Sequence, residues 1–334
     1  MARSHLTLAA LATSAVEGLD AAAASGFGTA SGAFDSALVT GVDGRHWVVR
    51  VPNSPQAEAE QSADLVALRS LSTGIRGRLP FAVSTYAGQA PIDDTRAVVY
   101  EFVYGSKLSL GALRPDALAA SVGKAIASIH LLPTSFVADA GLPVRAPHDV
   151  LRDTATLINR ASATNLVPSA LVARWEGAID DSALWQFAPT VVNGELNADS
   201  FLHANGEVSG VIGWHALSVG DPARDLCWLY GSNDDAVIDT VVGAYSQTRA
   251  AGDRQLEKRA RLYGELELAK WLLHGTEQRS TEIVDDAVRM LHALVDRVEG
   301  NLDQSVSHNT MPVMTVDEVQ SMLDERDRAA GSAD

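Results

Sequence analysis

Near residue 105 the chain changes its period, and a chain that does so must fold as two dissimilar layers or lobes. Before that point Ala37–Thr40 and His46–Val51 are short β-prone runs. Gly41-Val42-Asp43-Gly44 joins them, and its Asp-Gly pair predicts a hairpin. Along the second run Trp47, Val49 and Val51 share one face, and Arg50 points to the other. Pro52 stops it. Ser54 then supplies an N-cap with Pro55 at the first helical position, ahead of a stripe of Leu65, Leu68 and Leu71. Ala97–Val103 is long enough for a buried strand and runs out at Gly105. The first hundred residues therefore read as strands with one helix.

Beyond residue 105, Leu118, Val122, Ile126 and Ile129 predict a helix closed by Pro133. Leu262, Leu266, Ala269 and Leu273 predict a second, and Val284, Ala287, Leu291, Leu294 and Val298 a third. A β-rich island lies among them: Thr190–Val192, Phe201–His203, and Val208–Ile212 after an Asn205-Gly206 turn. The expected class is α+β and two-lobed. Residues 1–104 form a small β-rich N-lobe, 105–308 a larger helical C-lobe and 309–334 an acidic tail, with the interlobe cleft as the default binding site. In the tail, Thr315 and Glu318 form a capping box, and Val319, Met322 and Leu323 are expected to dock on the body.

Composition narrows the function classes. The 334 residues are 46% hydrophobic and 20% charged, enough for a sizeable core. Twenty-six basic against 42 acidic residues leave a net charge of −16, which argues against nucleic-acid and acidic-membrane partners. No apolar run approaches the roughly 20 residues of a membrane helix. The lone Cys227 excludes an internal disulfide and fits a reducing compartment, so a cytoplasmic location is expected. Leu6–Ala12 follows Arg3 and His5 in the manner of a secretory signal, but Thr7, Thr13, Glu17 and Asp20 favour a surface helix.

Several devices are absent. There is no Gly-x-Ser-x-Gly elbow, and Gly123-Lys124 is followed by Ala125 inside a helical pattern, unlike a P-loop. The nine histidines form no close ligand pair; His130 and His274 sit at helix ends, where structural roles are expected. Gly26, Gly28 and Gly32 in GFGTASG read as a linker rather than a phosphate loop.

The informative stretch is NGELNADSFLHANGEVSGVIGWHALSVGDPARDLCWL, residues 193–229. Asn193-Gly194-Glu195, Ser200, a hairpin, Ile212-Gly213-Trp214 and Gly220-Asp221-Pro222 with Asp225-Leu226 resemble the aminoglycoside and macrolide phosphotransferase family, whose fold is that of the protein kinases. The helix ending Ile129-His130-Leu131-Leu132-Pro133 is also similar. The resemblance implies a kinase-like fold, with Arg50 as the basic residue that holds nucleotide phosphates and Glu60 or Asp64 as its acidic partner. It implies a hinge at Tyr100-Glu101-Phe102-Val103, whose backbone would meet adenine.

The departures from that family bear on function. Its catalytic aspartate is Glu195 here, a carboxylate one methylene longer, and its loop histidine is Asn193. Its metal-ligating asparagine is Ser200, and the aspartate that bridges Mg²⁺ to the phosphates is Gly213, which has no side chain. Mg²⁺ is ordinarily held by one or two carboxylates with phosphate oxygens and water. Asp199 is a weak substitute ligand. The resemblance gives Asp221 and Asp225 structural work, capping a helix and holding the catalytic-loop backbone, and His215 reads as a cleft-wall histidine. The expected function is a pseudokinase with weak or no phosphoryl transfer. The alternative is an active ATP-dependent phosphotransferase acting on a hydroxyl of an antibiotic-like or metabolite molecule, with Glu195 as base and Asp199 and Ser200 holding Mg²⁺. ATP and Mg²⁺ are cofactors only in the active case. The expected partner is a small molecule or nucleotide.

Overall fold

The structure, a computed structural model, describes residues 3–28, 32–232, 234–250 and 252–299. It opens with α1 (His5–Ala15), followed by β1 (Ala21–Gly26), β2 (Phe34–Gly41), β3 (His46–Pro52), α2 (Pro55–Ser70) and α3 (Thr73–Arg76). Next come β4 (Ala82–Val83), β5 (Tyr86–Ile92) and β6 (Thr95–Glu101). Five of the strands form an antiparallel sheet in the order β1-β2-β3-β6-β5.

The alternation along β3 decides how this sheet is covered. Trp47, Val49 and Val51 join Val39, Ala97 and Val99 beneath Leu8, Ala9 and Ala12 of α1. The opposite face sends Val98 and Tyr100 into the main core with Leu65 and Leu68 of α2. The helix expected at the surface is thus a cover for the sheet, with only one side exposed. Among the described residues the N-terminal lobe also holds a short helix, α3, and three strands, β1, β4 and β5, that their own residues do not announce. β1 reads Ala-Ala-Ala-Ala-Ser-Gly, a composition that favours helix; pairing with β2 overrides it. The run expected at 97–103 is strand only to Glu101, because Phe102–Tyr104 leave the ladder to cross toward the second lobe.

The C-terminal lobe begins with β7 (Ser106–Lys107), α4 (Ala117–His130), α5 (Ser135–Asp139), α6 (Pro147–Ser162) and α7 (Ser169–Asp180). It continues with β8 (Thr190–Val192), β9 (Phe201–Ala204), β10 (Glu207–Val211) and β11 (Ser218–Gly220), then a 3₁₀ helix, Pro222–Gly231. α8 (Asp235–Arg249), α9 (Leu256–Glu277) and α10 (Thr281–Glu299) complete it. The architecture is therefore a β-sheet N-terminal region followed by a helical C-terminal region.

Gly123 has a packing role, bringing α4 onto α8. A Cβ there would lie 2.1 Å from the Val241 carbonyl oxygen and 2.9 Å from the Tyr245 amide nitrogen, backbone atoms that cannot rotate away. Gly123→Ala is expected to cost about 3 kcal/mol, the upper end for overpacking, measured by urea unfolding. The acidic tail, its capping box and its apolar stripe lie outside the described residues.

Candidate functional site

The site is built on a carboxylate that never reaches solvent. Asp225, on the 3₁₀ helix, is fully buried. Its Oδ2 accepts from the Asn193 amide at 2.7 Å, and its Oδ1 accepts from the Gly194 amide at 2.7 Å. His130 Nε2 lies 3.1 Å from the same carboxylate, and its Nδ1 lies 2.9 Å from Tyr245 Oη. Burial pushes the His130 pKa below its ordinary value. A neutral ring donating through Nε2 to Asp225 and accepting from Tyr245 satisfies every atom.

The loop that this anchor holds is shaped by Asn193 and Gly194. Asn193 donates through Nδ2 to the Gly213 carbonyl at 2.8 Å and accepts from the Glu195 amide. Gly194 has φ +94°, and a Cβ there would lie 2.5 Å from the Ala216 carbonyl oxygen, so only glycine fits. Asp221 caps the 3₁₀ helix by accepting from the Ala223 amide. It also receives Nε of the buried Arg259 at 2.7 Å and Tyr263 Oη at 2.7 Å. Arg259, which no sequence motif marks, is held further by Asp253 and the Leu184 carbonyl.

Glu195 projects from this loop and meets His215, whose Nε2 lies 2.8 Å from Glu195 Oε2. His215 Nδ1 lies 3.9 Å from Oε1 of Glu60 on α2, so the imidazole stands between the two lobes. The hydrogen bond to His215 holds the Glu195 carboxyl below its usual range. The same bond raises the His215 pKa above its usual value, with further help from the charges of Glu195, Glu60 and Asp64. A raised histidine contributes fully below its unfolded value and loses that contribution as pH rises through the folded one. A depressed glutamate contributes fully above its unfolded value and loses it as pH falls. The contact is therefore fullest between the ordinary values of 4.5 and 6.5. By NMR titration the His215 ring is expected to deprotonate above 6.5, and Glu195→Gln should bring it down. A midpoint unmoved by that substitution would contradict the pairing.

Asp64 is buried and accepts from the Trp214 amide at 2.7 Å; burial raises its pKa. Arg50 forms no ion pair with Glu60 or Asp64 among the described residues. Its guanidinium instead lies over the Phe34 ring, 3.8 Å from the centroid.

The remaining predicted residues disperse. Ser200 is buried, and its Oγ accepts from the Asn197 amide at 3.2 Å. Asp199 is exposed and lies near Lys107, with Oδ1 3.9 Å from Nζ. Gly213 has φ +76°, with open space where a Cβ would stand. Among the described residues no group of three or more His, Cys, Asp or Glu side chains could hold a metal ion. Neither Ser200 nor Gly213 offers a carboxylate, the ligand type by which proteins ordinarily hold Mg²⁺.

In the segment expected to act as the hinge, Glu101 pairs with Arg45 through its side chain, and its amide donates to the Thr85 carbonyl. The Phe102 amide donates to the His46 carbonyl. The Val103 amide has no acceptor among the described residues. GFGTASG begins at the end of β1 and is followed by β2, the strand β1 pairs with; its residues 29–31 lie outside the described residues. Phe27 packs edge-on to Phe102 at 6.1 Å.

A cavity of about 490 Å³ opens beside Glu195 and His215. Its walls come from α6, β11, the 3₁₀ helix and α9, and none of its lining residues precedes Pro143. It therefore lies within the C-terminal lobe rather than between the lobes. Sequence reading found the part of its lining that sits in the 193–229 frame, Glu195, His215 and Asp221, but not the part on α6 and α9, such as Leu157, Leu266 and Lys270, which belongs to no motif. Among the described residues no helix is long and apolar enough to cross a membrane.

With this geometry in hand, the chain can be compared with known proteins. It is 22% identical over 197 residues to the uncharacterized protein YcbJ of Bacillus subtilis (strain 168), a match covering 55% of this chain and 62% of that one. It thus spans less than two thirds of that relative's length. Among solved structures, macrolide 2'-phosphotransferase MphH from Brachybacterium faecium superposes with a TM-score of 0.69 at 22% identity, covering 82% of this chain and 94% of that chain. Macrolide 2'-phosphotransferase type I gives 0.70 at 23%, covering 87% and 98%. The GDP complex of wild-type aminoglycoside 2'-phosphotransferase-IIIa gives 0.70 at 18%, covering 87% and 98%. These likenesses show the fold, two-lobed and kinase-like. The model of the phosphotransferase enzyme family matches residues 30–267, more than half of the chain. The chain belongs to the phosphotransferase enzyme family.

Proposed function

We propose that this protein is a pseudokinase of its family. It binds a small molecule in the C-lobe cavity and a nucleotide weakly at the Val103 hinge, with phosphoryl transfer suppressed. The observation that carries the reading is that neither metal position offers a carboxylate or amide ligand: Gly213 has no side chain, and Ser200 offers only a hydroxyl oxygen that already accepts one hydrogen bond from the Asn197 amide. Phosphoryl transfer relies on divalent ions to neutralise the charge on the phosphates. In this reading residues 1–104 carry Arg50, Glu60, Glu101, Phe102 and Val103 as the nucleotide wall, and residues 105–308 carry the cavity. A cytoplasmic location, where nucleotide is abundant, belongs to the same proposal.

A second reading has one observation in its favour. Glu195, a carboxylate paired with His215, lines the cavity and could take a proton from a hydroxyl bound there. Phosphate release from ATP and from GTP in the presence of Mg²⁺ separates the two. The pseudokinase reading expects a rate unchanged by Glu195→Gln. Turnover lost in that variant would establish the active enzyme.

A further inference from the structure

The cavity beside Glu195 is lined by carboxylates that each have a basic partner and by one guanidinium that has no carboxylate partner among the described residues. The whole chain carries −16, yet each carboxylate lining the cavity already has a basic side chain beside it. Asp153 is met by Arg145 at 2.7 Å, Glu267 by Lys270, and Glu195 by His215 at 2.8 Å. Asp221 is met by the buried Arg259 at 2.7 Å. Arg224 lines the same wall, half-buried, and pairs with no carboxylate among the described residues; its guanidinium lies 5.5 Å from the Tyr263 ring centroid. Leu157, Leu217 and Leu266 supply apolar wall around it.

A partly desolvated guanidinium without an anion is a recognition element for carboxylates, which it can bind through two parallel hydrogen bonds. A polycationic ligand has the opposite requirement. It is served by carboxylates that have no basic partner, and those lining this cavity each have one. The volume suits a drug-sized molecule, since such pockets run from about 300 to 1,000 Å³.

We infer that the cavity takes an organic acid, a molecule with one carboxylate on an apolar body, and that Arg224 holds the carboxylate. This rests on the reading of the cavity as the ligand site. It extends that reading to a chemical class, and it does not depend on whether phosphate is transferred.

The test uses the full chain in EDTA without nucleotide, so the metal question does not enter. Phenylbutyrate, phenylbutanol, phenylbutylamine and kanamycin are titrated by calorimetry at low salt. Phenylbutyrate is expected to bind at least about tenfold more tightly than the alcohol or the amine, the scale of a charge-assisted hydrogen bond. Arg224→Gln should remove that preference and leave the alcohol unchanged, while Arg224→Lys should keep part of it. Thermal melting of each variant checks that it is folded. Tighter binding of the amine or kanamycin would overturn the organic-acid assignment and keep the cavity as a ligand site. A carboxylate preference that survives in Arg224→Gln would overturn the role of Arg224. No binding of any of the four at millimolar concentration would overturn the cavity assignment as well, without touching the reading of the metal positions.

Discussion

Asp221→Ala is expected to lower the unfolding free energy by about 3 to 5 kcal/mol, the range for stranding one partner of a buried ion pair. Both side chains of the Asp221–Arg259 pair are fully buried, and the carboxylate is satisfied on every side. It accepts from Arg259 Nε and Nη2, from Tyr263 Oη and from the Ala223 amide. Alanine would leave the phenol and the amide without acceptors, and each unsatisfied buried donor costs about 1 to 3 kcal/mol. Asp253 stays beside Arg259 and shares the stranded charge, which places the expected loss toward the lower end. Asp221→Asn, which keeps the cap but not the charge, should cost less than Asp221→Ala. Urea unfolding checks both. A loss below about 1 kcal/mol for alanine, the scale of an exposed pair, would contradict the structural role assigned to this aspartate.

The double substitution Gly213→Asp with Ser200→Asn is expected to make nucleotide binding depend on Mg²⁺, with an affinity gain of at least about tenfold, or 1.4 kcal/mol. The structure shows that the first change has room, because nothing lies within 4 Å of where a Cβ would stand. It also shows a cost. At φ +76° an L-residue pays about 1 to 2 kcal/mol, although aspartate is among the residues that visit this region most readily. Ser200→Asn meets a different obstacle, since the new amide must replace the hydroxyl that accepts from Asn197. Each single variant should therefore gain less than the pair. Calorimetric titration of ATP with Mg²⁺ and with EDTA reads the result. No metal dependence in a folded double variant would show that something other than the missing ligands closes this position.

Much of the two-lobed plan is visible in the sequence because period is a local property. The hairpin at Asp43-Gly44 and the stripe on α4 follow directly from it. What escapes is structure decided by partners far along the chain. β1 is alanine-rich and becomes a strand through β2, and α1 gains its buried side only from a sheet whose last strand begins ninety residues later. The site divides in the same way. Glu195, Asp221 and Asp225 are legible because they sit in one contiguous frame. The Glu60–His215 approach is not, since it joins α2 to a turn 155 residues away by sequence number. Arg259 is equally hidden: it lies on α9, and only folding brings it to Asp221. The hydrogen bond from the Asn197 amide to the Ser200 hydroxyl depends on side-chain rotation within the loop, which no pattern of residue types encodes.

Calorimetry of ATP binding to the unaltered protein, once with Mg²⁺ and once with EDTA, tests the account most directly. With Gly213 and Ser200 as they are, the two dissociation constants are expected to agree within about twofold, a difference of less than 0.5 kcal/mol. A constant at least about tenfold tighter in Mg²⁺, with phosphate release that disappears in Glu195→Gln, would contradict it.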